Sequence, residues 1–196
     1  MAQESDAPST WNIANALTVL RVLLVPVFVW ALMVVPPAGA TWRWLALAVF
    51  LLAMVTDRID GDLARSRGLV TDFGKIADPI ADKALTGTAF VCLSLLGELP
   101  WWVTVVVVAR ELGITALRFG MLRTGVIPAS RAGKVKTTLQ AVALAMYVVG
   151  PGDLLWFVPE VVMGAAVVVT VVTGVDYVVQ AFRLNAAART RKGGAA

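Results

Sequence analysis

Histidine is absent from all 196 residues. This excludes a histidine nucleophile, a histidine general base and a histidine metal ligand. Any metal must then be held by oxygen, which favours Mg2+ or Mn2+ over Zn2+ or copper. The single cysteine, Cys92, lies in an apolar run, so no intrachain disulfide forms and the residue reads as a small core side chain. Charge is scarce as well: 15% of the residues are Asp, Glu, Lys or Arg, against 59% hydrophobic. A soluble domain of this length is rarely so apolar. Residues 1–10 lack the basic stretch of a secretory signal and read as a disordered cytosolic tail. No internal repeat or low-complexity tract stands out.

What is present is a series of apolar runs separated by charged segments, the pattern of a polytopic helical membrane protein. Six helices are expected. The first runs from about Leu17 to Val35, is kinked at Pro26, and stops at Pro36-Pro37. The second begins near Thr41, but its apolar run ends at Thr56, short of the ~20 residues that cross a bilayer. It is therefore expected to continue through Asp57 to about Arg65. The third has the same problem, since Ala84 to Leu96 is too short alone, so it is expected to start near Phe73 and to include Asp78 and Asp82. The remaining three are expected at about Leu99–Phe119, Lys134–Val149 and Pro159–Phe182. The expectation is an all-α transmembrane domain over residues 11–183, followed by a basic cytosolic tail at 184–196.

The basic residues orient it. They crowd three segments: Arg65, Arg67 and Lys75; Arg118, Arg123, Arg131, Lys134 and Lys136; and Arg183, Arg189, Arg191 and Lys192. The alternate loops at 36–40, 97–100 and 150–159 carry no Lys or Arg. The positive-inside rule then places both termini and the charged segments on the cytosolic side of the inner (plasma) membrane. Trp42, Trp44, Trp101, Trp102 and Trp156 fall near the opposite interface, where an aromatic belt sits. The excess of 17 Lys and Arg over 13 Asp and Glu lies beside membrane spans, so anionic lipid headgroups are the expected partner rather than nucleic acid.

Against this apolar background stand four aspartates in the pattern Asp57-x2-Asp60-Gly61-x2-Ala64-Arg65-x8-Gly74-x3-Asp78-x3-Asp82. Residues three or four apart share a helical face. Asp57, Asp60, Gly61 and Ala64 make one stripe; Gly74, Asp78 and Asp82 make another. A short loop lets the stripes face each other. Four carboxylates across a narrow gap repel, and two divalent cations about 3.5–4 Å apart would relieve this as a two-metal site. Gly61 and Ala64 lack bulk, so a phosphorylated or planar group can approach the backbone. Arg65 offers a bidentate fork for phosphate. A solvated loop whose charges merely cap helices would not repeat helical spacing on both sides. A cation transporter would carry acidic residues at mid-membrane in several helices, whereas here they cluster at one end of two.

This pattern resembles the signature of the CDP-alcohol phosphotransferase family, with every fixed position present. The resemblance implies six transmembrane helices around a cytosol-facing polar cavity, in a homodimer. It implies that Asp57, Asp60 and Asp78 hold Mg2+ or Mn2+ and that Asp82, beside the same metals, is the base that deprotonates an acceptor hydroxyl. It further implies that Asp60, Gly61, Ala64, Arg65 and Gly74 bind the CDP group.

The acceptor is read from a second set of residues. Arg110 and Glu111 fall about nine residues inside the fourth span, roughly 14 Å deep at ~1.5 Å per residue. Charges at that depth line cavities or pair with partners. Arg118 lies on the face of Arg110, and Gly133-Lys134-Val135-Lys136 opens the fifth helix, where lysines and a helix N-terminus suit phosphate. It is not a P-loop, because Pro128 stands where the first glycine would be. Arg110, Arg118, Lys134 and Lys136 are thus the candidates for an acceptor phosphate. Asn15-Ala16-Leu17-Thr18 with Arg21, Arg110-Glu111 and the segment from Gly133 to Gln140 are similar to the branch of the family that uses glycerol 3-phosphate. The implied reaction joins CDP-diacylglycerol and sn-glycerol 3-phosphate to give phosphatidylglycerophosphate and CMP. The alternative acceptor is inositol phosphate.

Overall fold

The computed structural model describes residues 12–34, 40–67, 71–120, 131–150 and 157–193. Among these it is all-helical, without a strand: α1 (Ile13–Val29), a π-helical turn (Trp30–Val34), α2 (Ala40–Arg67), α3 (Asp72–Leu95), α4 (Trp101–Gly120), α5 (Arg131–Val149) and α6 (Val158–Gly193).

The helix ends follow capping and propensity more than hydropathy. α1 begins before the apolar run because Asn12, in an extended conformation, accepts the Asn15 backbone N–H at 2.9 Å. This is an N-cap bond, satisfying a donor the first turn leaves over. Pro26 lies inside α1 and has no N–H to give. One turn later the winding widens into the π turn, where the Trp30 N–H reaches both Pro26 O and Val27 O. α2 and α3 continue through their charged segments, as their short apolar runs require. After α3, Gly97 takes φ 75°, a left-handed step that glycine makes without strain, and Pro100 precedes α4.

The largest departure is α6, which continues beyond the expected end at Phe182 to Gly193. Hydropathy falls there, but Leu184 and the Ala- and Arg-rich segment after it are strong helix formers, so the backbone carries on. The residues read as a basic tail are thus helical as far as Gly193.

Among the described residues, two helices are long and apolar enough to cross a bilayer, over Asn15–Met33 and Val158–Leu184; Lys83–Leu95 is a shorter apolar stretch. The burial pattern adds to this. Leu23, Val161, Val168, Val172 and Phe182 are about 60–72% exposed, while Thr18, Arg21, Lys136, Gln140 and Thr170 are buried. Apolar residues outward and polar residues inward is the arrangement of a chain surrounded by lipid. Trp44, Trp101 and Trp102, close to the starts of α2 and α4, are exposed as interfacial tryptophans would be.

The chain divides into two compact units, Met1–Leu96 with Val148–Gly150, and Gly97–Tyr147 with Pro151–Ala196. In the first, α1 packs along both α2 and α3, which meet each other over a much shorter stretch. Its core places Phe28 on Phe50 (ring centroids 5.9 Å apart) among Ala46, Ala53, Ala81 and Ala89. Small side chains of this kind let helix backbones come close in a membrane. In the second, α4 packs on α6, and the core includes Val103, Val107, Leu144, Met163 and Ala166.

Candidate functional site

The aspartates sit on α2 and α3. Asp57 and Asp60 are ten and seven residues before the end of α2, and Asp78 and Asp82 six and ten residues after the start of α3. At ~1.5 Å per residue, the two pairs stand roughly 9–15 Å from the helix ends. A four-residue connection joins those ends, residues 68–71. Helices joined so tightly run antiparallel as neighbours. In such a pair of helices the two pairs of aspartates would lie at similar distances from the connection. The side chains of Asp60, Gly61, Ala64, Arg65, Gly74, Asp78 and Asp82 lie outside the described residues.

Asp57 is described, and it has a partner that sequence reading left without a role. Arg21, 1% exposed on α1, places its Nη1 2.8 Å from Asp57 Oδ1. A second tie lies on the same face of α1. Asn15 Nδ2 donates to Thr71 Oγ1 at 2.9 Å, and the Thr71 hydroxyl donates back to Asn15 Oδ1 at 3.1 Å. Thr71 immediately precedes α3. Asn15, Thr18 and Arg21, three residues apart and all buried, form a polar stripe on an apolar helix. That spacing was the available signal, because an arginine inside an apolar span needs an acidic or carbonyl partner.

The donor set fits a hard divalent cation. An ionised carboxylate offers about four acceptor sites, more than one guanidinium donor fills. The other three aspartates add only oxygen, and no histidine competes.

The second cluster belongs to α4, α5 and α6. Arg110 donates from Nη1 to Glu111 Oε1 at 3.0 Å and from Nη2 to Thr173 Oγ1 at 3.0 Å. Lys136, buried on α5, donates to the same Glu111 oxygen. Thr173 passes its own proton to Val169 O at 2.7 Å, which leaves its oxygen facing the guanidinium as acceptor. One turn from Lys136, Gln140 Nε2 donates to Thr170 Oγ1 at 2.9 Å. Two cations thus share one carboxylate among buried hydroxyls and an amide. Guanidinium and ammonium donors are also the groups that bind phosphate.

Of the four residues expected at an acceptor phosphate, the structure brings Arg110 and Lys136 together. Arg118 lies two turns further along α4, over the Tyr177 ring (5.7 Å to its centroid), and its Nε donates to Tyr177 Oη at 3.5 Å. Lys134 is exposed. Two residues apart on a helix is about 200° of rotation, so Lys134 and Lys136 point to different sides. Glu111 and Thr173 were not among the expected site residues.

Beside the cluster, α4 and α6 leave a groove of about 390 Å³ with Arg110, Ile114, Leu117, Val171, Gly174 and Val175 in its walls. A Cβ on Gly174 would stand 3.1 Å from Arg110 Cγ. Gly174→Val is therefore expected to push Arg110 off Thr173 and to destabilise the protein by about 1–3 kcal/mol. Thermal unfolding of the purified variant measures this; an unchanged midpoint would mean that Arg110 relocates without strain.

The sequence model described as CDP-alcohol phosphatidyltransferase matches residues 11–189. A probable phosphatidylglycerophosphate synthase from Mycobacterium tuberculosis is 52% identical over 172 residues, 88% of this chain and 82% of that one. The CDP-diacylglycerol–glycerol-3-phosphate 3-phosphatidyltransferase of Bacillus subtilis is 34% identical over 180 residues, covering 85% and 93% of the two chains. The protein of the same name from Shigella flexneri serotype 5b is 39% identical over 174 residues, with the same coverage. The match spans both the aspartate-bearing helices and the Arg110 cluster, and the chain belongs to the CDP-alcohol phosphatidyltransferase family.

Proposed function

We propose that the chain transfers the phosphatidyl group of CDP-diacylglycerol to sn-glycerol 3-phosphate, giving phosphatidylglycerophosphate and CMP. The observation that carries this reading is the Arg110–Glu111–Lys136 cluster, in which a part-buried arginine and a buried lysine share one carboxylate. A phosphate on the acceptor alcohol replaces that carboxylate as the shared anion. The names of the relatives point to the same acceptor.

Asp57, Asp60 and Asp78, with Asp82 at their edge, would hold Mg2+ or Mn2+, which supplies charge neutralisation at the diphosphate when bound. Asp60, Gly61, Ala64, Arg65 and Gly74 take the CDP group. Asp82 removes the proton from the primary hydroxyl of glycerol 3-phosphate, a poor nucleophile until then. The hydroxyl oxygen forms a bond to the phosphorus that bears diacylglycerol, and the bond from that phosphorus to CMP breaks. Displacement is direct: there is no histidine, and the one thiol, Cys92, is buried. The reading includes six membrane spans, both termini and the active site on the cytosolic side, lipid tails kept in the bilayer, and a homodimer.

The test is CMP release from CDP-diacylglycerol by the purified chain in lipid vesicles. Glycerol 3-phosphate and inositol phosphate are supplied in separate reactions. Release is expected with glycerol 3-phosphate, to be abolished by a chelator, and to return with Mg2+ or Mn2+. Release with inositol phosphate alone would reassign the acceptor; release that survives chelation would remove the metals.

A further inference from the structure

We propose that Arg21 is a positioning residue for the metal site: it clamps one oxygen of Asp57 so that the carboxylate is held in place for the cation. The inference rests on the metal-binding reading of the aspartates.

Arg21 is buried on α1. It is 1% exposed, and its Nη1 lies 2.8 Å from Asp57 Oδ1. A guanidinium so buried is costly to keep, and an apolar residue of similar volume in its place would often be tolerated as well or better. Its presence calls for a function beyond packing. An arginine fixes a carboxylate more firmly than a lysine does, because its planar fork is rigid and always charged. Carboxylates that ligate metals are commonly oriented in this way by an outer hydrogen bond.

The surroundings make α1 the natural place for such a clamp. α2 and α3 carry the four aspartates yet meet each other only briefly, whereas α1 packs along both. Its polar stripe reaches α2 through Arg21 and the residue preceding α3 through Asn15 and Thr71. The spacing of the two carboxylate-bearing helices is therefore set from α1, and Arg21 is the point at which that control touches a ligand.

Two effects of Arg21 on a bound cation oppose each other. Its charge repels the cation, while its close ion pair orients the ligand. Arg21→Lys separates them, because it keeps the charge and loses the fork. With the full-length chain purified in detergent, Mn2+ affinity is read from the electron paramagnetic resonance signal of free Mn2+. Arg21→Lys is expected to weaken Mn2+ binding about 10-fold or more, within the roughly 10–100-fold range for outer-shell changes. CMP release at saturating metal is expected to recover most of its rate. Unchanged Mn2+ affinity in a folded Arg21→Lys protein overturns the proposal.

A double-mutant cycle covers the case in which that variant does not fold. Arg21→Met combined with Asp57→Asn removes both charges together and is compared with Asp57→Asn alone. Once Asp57 is already Asn, removing Arg21 is expected to leave Mn2+ affinity unchanged or to raise it, because only its repulsion of the cation is left to lose. A further large loss there would mean that Arg21 acts through some other group, and the proposal fails. Failure of the parent reading looks different: Asp57→Asn alone would then bind Mn2+ as tightly as the unaltered chain.

Discussion

Asp82→Asn is expected to lower CMP release by about 10²–10⁴-fold, the usual contribution of a general base. The substitution keeps the shape of the side chain and removes its basicity. Asp82 lies ten residues into α3, well clear of the fraying end, so the helix is expected to be unaffected. Three other aspartates remain to hold Mn2+, so metal affinity is expected to fall far less than turnover. Both quantities are measured on the same preparation. Full turnover would remove Asp82 from the base role. A loss of turnover that tracks loss of Mn2+ would make it a ligand only.

Arg110→Ala comes next in size. Arg110 bonds Thr173 and Glu111, and its side chain is 16% exposed. If it binds the acceptor phosphate, its loss removes one or two charge-assisted hydrogen bonds, each worth about 1.5–3 kcal/mol. One such bond corresponds to a rise of about 10–150-fold in KM for glycerol 3-phosphate. KM for CDP-diacylglycerol is expected to stay near its original value, because the lost bond belongs to the acceptor. Glu111 keeps Lys136 as a partner, so the cluster is not left with a lone buried charge. An unchanged KM for glycerol 3-phosphate, with turnover reduced, would assign Arg110 to structure or to the other substrate.

The helices were legible for a physical reason. A span too short to cross lipid must continue into its charged neighbours, and α2 and α3 do so, through Asp57 and from Asp72. The end of α6 was not legible from hydropathy, because the alanines and arginines after Leu184 favour helix without favouring lipid. In the Arg110 cluster, depth identified Arg110, but the choice between Lys134 and Lys136 needed the rotation of α5, which only the position of the helix in the fold supplies. The partner of Arg21 was illegible for a different reason. Charge requires that it have one, but several aspartates are candidates, and the selection of Asp57 depends on how α1 lies against α2. Thr71 shows the same limit: nothing local in its sequence ties it to Asn15, 56 positions away.

The Arg21–Asp57 pair also bears on how the chain enters a bilayer during synthesis. An arginine near the middle of a lone hydrophobic segment raises the free energy of insertion by about 2.5–3.5 kcal/mol. The opposite charge arrives on the very next helix to leave the ribosome. Successive segments that neutralise each other are best accommodated as a hairpin, so biogenesis and the proposed metal site would draw on the same pair of side chains.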